Sequence, residues 1–192
     1  MTTIRMKTLI AYGAVCISRA ALASVTPTEA VWVGGESGDL TTAANWSPAT
    51  VPHTKATNKA YRPIFRNSAS VTLSTSSDYW QGLGGVVVSN ASDVVFQKGN
   101  STTRLYAPNA DVGNDGGDGT NFVFDIEADS SLTLSGITFR GKETVDLVKK
   151  GGGTLWTTLG LGNTAAYREV DVREGLLKST AERARSALNP RS

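Results

Sequence analysis

Leu147-Val148-Lys149-Lys150-Gly151-Gly152-Gly153-Thr154-Leu155-Trp156 is the stretch that decides how this chain folds. A short apolar run is followed by a lysine step, a glycine-rich corner and a second short run. Each run is too short for a stable helix, and the glycines between them mark a tight bend. Roughly twenty residues further on, the pattern is answered by Val170-Asp171-Val172-Arg173-Glu174-Gly175-Leu176-Leu177, a spacing typical of structural repeats. Strand, corner and strand recurring at that distance read as one coil of a β-solenoid, in which each coil buries its apolar side on its neighbours.

Together these two segments resemble the autotransporter-associated β-strand repeat, whose units run approximately hydrophobic-x-K-x-G-x-G-T-L and then V-x-V-x-x-G-x-L. A second block consists of Ala30-Val31-Trp32-Val33-Gly34-Gly35, Ser37-Gly38-Asp39-Leu40, Ala43-Ala44-Asn45-Trp46-Ser47 and Val51-Pro52. It resembles the lead-in of many bacterial secreted β-helical proteins, with Leu40 where an aromatic residue is common. The two resemblances cover Val31 to Val51 and Asp146 to Leu177. They imply an all-β chain, a right-handed parallel β-helix with an N-terminal cap, exported to the bacterial surface. Its role would be that of a passenger-like structural scaffold, with adhesive contacts, and not that of an enzyme. A cap is physically required, because the open end of such a stack exposes a strand edge and a layer of core. Trp32 and Trp46 are large enough to seal it.

The rest of the chain has the same texture. Ser70–Ser74, Gly85–Ser89, Asp93–Gln97, Thr103–Tyr106, Asn121–Ile126, Ser131–Ser135 and Gly136–Phe139 are short, β-branched or alternating, and bounded by Ser, Asn, Asp or Gly. Ala69–Ser74 repeats in outline as Ser130–Ser135, and Val94–Asn100 as Asp146–Gly152. Residues 54–66 are basic and aperiodic, and Pro63 marks them as a loop or an edge strand. The expected organisation is a leader over 1–23, cap and loop over 24–66, β-helical repeats over 67–178, and a polar or helical tail over 179–192. The alternative fold is an antiparallel β-sandwich, built from the same short strands joined by hairpins. Two Asp-Gly hairpin signals, Asp115-Gly116 and Asp118-Gly119, sit in a single loop.

Composition narrows the function. The 192 residues carry a net charge of +2, with no basic stripe or nucleic-acid motif, so nucleic acid is not an expected partner. Surface glycans or other cell-surface molecules are, with the chain either monomeric or part of a larger surface assembly. Cys16 is the sole cysteine and lies within the N-terminal apolar run, which removes a disulfide framework or a Cys-based metal site. Arg5 and Lys7 precede an apolar stretch from Thr8 to Ser18, and Ala21-Leu22-Ala23 supplies a small-x-small cleavage site before Ser24. The chain therefore reads as secreted, and no later stretch is long and apolar enough to span a membrane as a helix.

Chemistry-bearing residues are sparse. His53 is the only histidine and has no Gly-x-Ser-x-Gly elbow to serve. Asp125 and Glu127 would share one strand face, and a close carboxylate pair is the signature of glycoside hydrolysis. Asp111, Asp115, Asp118 and Asp129 add further carboxylates, and the run from Asp111 to Asn121 faintly resembles a calcium nonapeptide in a single copy. Solvated loop and strand-edge charge accounts for all of these, so no catalytic residue, metal ligand or cofactor is expected. A β-helical polysaccharide lyase or hydrolase is one alternative function. The other is a carbohydrate-binding module, for which Tyr79 and Trp80 would form the sugar platform. Trp156 is expected to face the core.

Overall fold

The computed structural model describes residues 27–53, 61–74, 79–80, 83–99, 104–106, 121–140, 146–159 and 170–180. They form strands β1 (Thr28–Trp32), β2 (Ser37–Asp39), β3 (Trp46–Ser47), β4 (Tyr61–Phe65), β5 (Ala69–Leu73), β6 (Tyr79–Trp80), β7 (Gly85–Val88) and β8 (Asp93–Lys98). These are followed by β9 (Arg104–Tyr106), β10 (Asn121–Ile126), β11 (Ser131–Ser135), β12 (Thr138–Arg140), β13 (Asp146–Lys150), β14 (Thr154–Thr157), β15 (Val170–Val172) and β16 (Leu176–Ser179). A 3-10 turn, Ala43–Asn45, leads into β3. Residues 1–26, the Asp111–Thr120 run and residues 181–192 lie outside the described residues.

The protein is all-β, and its sheets are dominated by parallel pairing. One sheet runs β15-β13-β10-β7-β4-β1-β3, a second runs β16-β14-β11-β8-β5-β2, and a third runs β12-β9-β6. From β4 onward consecutive strands enter the first, second and third sheets in turn, three times over, before β13 to β16 alternate between the first two. Among the described residues only β1 and β3 pair antiparallel. An antiparallel sandwich needs that arrangement throughout, so the alternative fold is set aside.

Side chains alternate along the strands of the first two sheets, and one face of each packs into a common core with Leu105 of β9. In the second sheet Ala69, Val94, Leu132, Leu155 and Leu177 stand in register, as do Val71, Phe96, Leu134 and Thr157. In the first sheet Val86, Phe124, Lys149 and Val172 form the equivalent column. The repeat is unequal in length: Val170 stands opposite Leu147, 23 residues earlier, whereas Val123 stands opposite Gly85, 38 residues earlier. The Asp-Gly run lies within that longer connection.

Three expectations need correcting. Residues 61–65 are an inner strand, flanked by β1 and β7, and not a loop or an edge. Pro63 is accommodated because the neighbour bulges beside it. Tyr61 bridges Leu83, but Ile64 meets Val87, so one extra residue of the β7 segment is accommodated opposite Pro63. Gly85, with φ of 147°, supplies the backbone that the bulge needs. The second sequence repeat is also not structural, since Val94–Lys98 belongs to the second sheet and Asp146–Lys150 to the first. The first repeat does fall in one sheet, with β5 and β11 on either side of β8. Trp156, the third case, faces outward and is 42% exposed. Leu155 and Thr157 on either side of it take the inward positions.

Candidate functional site

Two places bring distinctive side chains together: the glycine corner after β13, and the outer face of the second sheet. At the corner, Gly151 (φ 74°) and Gly175 (φ 71°) both adopt a left-handed conformation that disfavours side chains. Space is equally restrictive. A Cβ on Gly153 would run into the carbonyls of Glu127 and Ser130, and one on Gly175 into those of Gly151 and Gly153. The Gly175 corner thus lies backbone on backbone against the Gly151–Gly153 corner, and Gly153 against the turn from Glu127 to Ser130.

Lys149 ties these two corners together. It is fully buried in the apolar column below Phe124, where a charge is costly unless paired. Its Nζ donates to the carbonyls of Lys150 at 2.8 Å, Gly151 at 2.6 Å and Glu174 at 3.2 Å. All three donors are therefore used, and one reaches across to the turn between β15 and β16. Burial lowers the Lys149 pKa below the ordinary 10.5, and the carboxylates of Asp125 and Glu174 partly offset that. The sequence displayed this residue as part of a lysine step. Its inward direction follows from the period of two that also places Leu147 inside.

On the outer face of the second sheet, Ser37, Ser70, Val95, Thr133, Trp156 and Lys178 form one row in register, one residue from each strand. Neighbouring strands lie about 4.8 Å apart, so this is a flat, evenly spaced array. Polar groups tie its parts together: Gln97 Nε2 donates to Ser70 Oγ at 2.7 Å, and Ser131 Oγ donates to Asp93 Oδ1 at 2.6 Å. Trp156 is the one large aromatic in the row, and an exposed indole beside hydroxyls can stack on an apolar sugar face or another flat ring.

The residues singled out from sequence are not brought together. Tyr79 and Trp80 form β6 and pair with Arg104 and Leu105; their side chains lie outside the described residues. His53 is partly buried, and its N–H donates to the Val51 carbonyl at 2.7 Å. Asp125 faces Lys150 Nζ at 3.2 Å, while Glu127 Oε2 accepts from the Asn90 N–H at 3.0 Å. The two carboxylates therefore serve different neighbours, Asp125 tying β10 to β13 and Glu127 reaching the turn after β7. Asp129 occupies a turn with φ of 61°. Asp111, Asp115 and Asp118 lie outside the described residues. Among the described residues no three His, Cys, Asp or Glu side chains converge, and no helix is long and apolar enough to cross a membrane.

At the opposite end of the molecule, Trp32 and Trp46 are buried with Leu40 and Phe65. The two indoles meet edge to face with centroids 5.2 Å apart, and Phe65 lies 5.7 Å from each. Trp46 Nε1 donates to the Leu40 carbonyl at 2.9 Å and Trp32 Nε1 to that of Gly35 at 2.8 Å, so neither polar edge is buried unpaired. Asp39 accepts from the N–H and hydroxyl of Thr41 at 2.7 and 2.6 Å. Burial pushes its carboxyl pKa up, but the hydrogen bonds from Thr41 and Ser74 outweigh that and leave it lowered. Comparison with family models, curated proteins and solved structures finds no match to this chain.

Proposed function

We propose that this chain is a right-handed parallel β-helix with an N-terminal cap, serving as a secreted, passenger-like structural scaffold at the bacterial surface. The observation that carries this reading is the return of successive strands to the same parallel sheets in the same order. Such a stack gives an extended body in which every coil is hydrogen-bonded to the next. The covered β1 edge, with Trp32 and Trp46 beneath it, supports the assignment of a cap. The Lys-Gly-Gly-Gly-Thr-Leu unit, with its stacked glycines, supports kinship with autotransporter-associated repeats. The Arg5–Ala23 pattern supports export.

Expression of the full chain in a Gram-negative host, followed by fractionation and N-terminal sequencing, tests the reading. A chain beginning at Ser24, outside the cytoplasm and resistant to added protease, is the expected result. Cytoplasmic protein retaining Met1 would overturn the localisation, and rapid proteolysis of the exported chain would overturn the scaffold.

The exposure of Trp156 favours a second reading, in which the outer face of the second sheet binds a neutral glycan. Binding to a polysaccharide panel that disappears in Trp156→Ala, but survives Trp80→Ala, would select it.

A further inference from the structure

Exposed apolar surface is concentrated at one end of the molecule. Among the described residues the exposed large hydrophobic side chains are Val33, Trp156, Leu159, Val170, Val172 and Leu176, and all but Val33 belong to the last coils. Val170 and Val172, 41% and 44% exposed, continue the core columns of Leu147 and Lys149. They point inward, yet no described strand lies beyond β15 to cover them. An open strand edge over an incomplete apolar layer is a template for another strand.

We propose that the β15 edge pairs with the β15 edge of a second copy of this chain, antiparallel and centred on Val172. A head-to-tail contact through this sheet is blocked, because β3 already covers its other edge. A two-fold contact between like edges remains, and two-fold symmetry makes the paired strands antiparallel. Charge decides the register. Asp171 and Arg173 lie two residues apart on the outer side of the edge, half exposed, with Arg173 Nε 2.7 Å from Asp171 Oδ2. Centring on Val172 sets Asp171 against Arg173 of the second copy, and Arg173 against its Asp171. Each opposite charge thereby gains a cross-strand partner, and no like charges meet. Val172 meets its own counterpart across the two-fold axis, and Val170 lies opposite Glu174 of the second copy.

Sedimentation velocity of the full chain tests this, with charge reversal as the probe. The wild-type chain is expected to dimerise. Asp171→Arg alone and Arg173→Asp alone each place like charges across the junction, weakening the dimer by about tenfold or more. Mixing the two variants is expected to form a heterodimer, since every opposed pair is then attractive. Repaired pairing within one chain cannot produce that result. Both positions are on the surface, and circular dichroism checks that each variant folds. A wild-type chain still monomeric at about 100 μM would sink the proposal. So would a dimer indifferent to both reversals, variants that fail to pair when mixed, or dimerisation only after removal of residues 181–192.

Discussion

The two ends of this molecule solve the same problem differently. At one edge of the first sheet β3 folds back antiparallel on β1, and two tryptophans, a phenylalanine and a leucine fill the layer beneath. At the far end β15 and β16 close the sheets with no described strand beyond, and valines from the core columns meet solvent. Both ends carry large apolar side chains, and what differs is whether a further element covers them. Among the described residues the first sheet is thus covered at its β1 edge and uncovered at its β15 edge. That asymmetry separates a blocked edge from a docking edge better than hydrophobicity alone does.

The largest effect should come from breaking the finished end. Trp46 is buried, contacts Trp32 and Phe65 edge to face, and uses its N–H on Leu40. Trp46→Ala leaves a cavity that rigid sheets cannot collapse, with an expected loss of about 3–5 kcal/mol in urea denaturation. That is a large share of the stability of a domain this size. A loss under about 1 kcal/mol would mean that the end is loosely packed and that the contrast between the ends is illusory.

Next comes the lysine below the open end. Lys149→Met keeps the length of the side chain but strips three carbonyls of a donor, and should cost about 1–3 kcal/mol. The accompanying pH dependence has a definite sign. Because the folded-state pKa lies below the ordinary 10.5, the unfolded chain holds the proton in the window between them while the folded chain has released it. Unfolding free energy attributable to this group therefore rises with pH across that window. Subtracting the Lys149→Met profile from that of wild type isolates it, and a difference that falls with pH would refute the assignment.

Much of this was legible in the sequence, and the failures have physical reasons. The Lys-Gly-Gly-Gly-Thr-Leu stretch announced strand, corner and strand, because glycine at a tight corner is demanded by local sterics. Trp32 and Trp46 stood out as candidates for a sealed end. Pro63 misled, since its compatibility with an inner strand depends on a bulge in β7, 22 residues away in sequence and adjacent only in space. Trp156 misled for a simpler reason: its size suggested core, while the period of two from Leu155 already turned it outward. The paired carboxylates could be seen, but their partners, Lys150 and Asn90, are 25 and 37 residues away in sequence. The ladder of contacts between neighbouring strands is a tertiary property, invisible until register is known.

Thr157 offers a gain instead of a loss. It is wholly buried in the column of Phe96 and Leu134, and its Oγ1 has no hydrogen-bond partner. Valine has the same shape without the stranded hydroxyl, so Thr157→Val should raise stability by about 1 kcal/mol. A destabilised variant would reveal a partner for that oxygen in solution.

The smallest effect on stability should come from the other tryptophan. Trp156 sits on the outer face between Thr133 and Lys178, with 42% of its surface exposed, whereas Trp46 is sealed inside. Truncating it opens no cavity, so Trp156→Ala should change unfolding free energy by less than about 0.5 kcal/mol. The same residue type would thus differ severalfold in cost between the two locations, which is the comparison of covered and uncovered surface reduced to one side chain. Measuring glycan binding on the same variant sharpens it further. An exposed indole that contributes nothing to stability but abolishes binding is a recognition residue, and one that changes neither leaves the scaffold reading to stand alone.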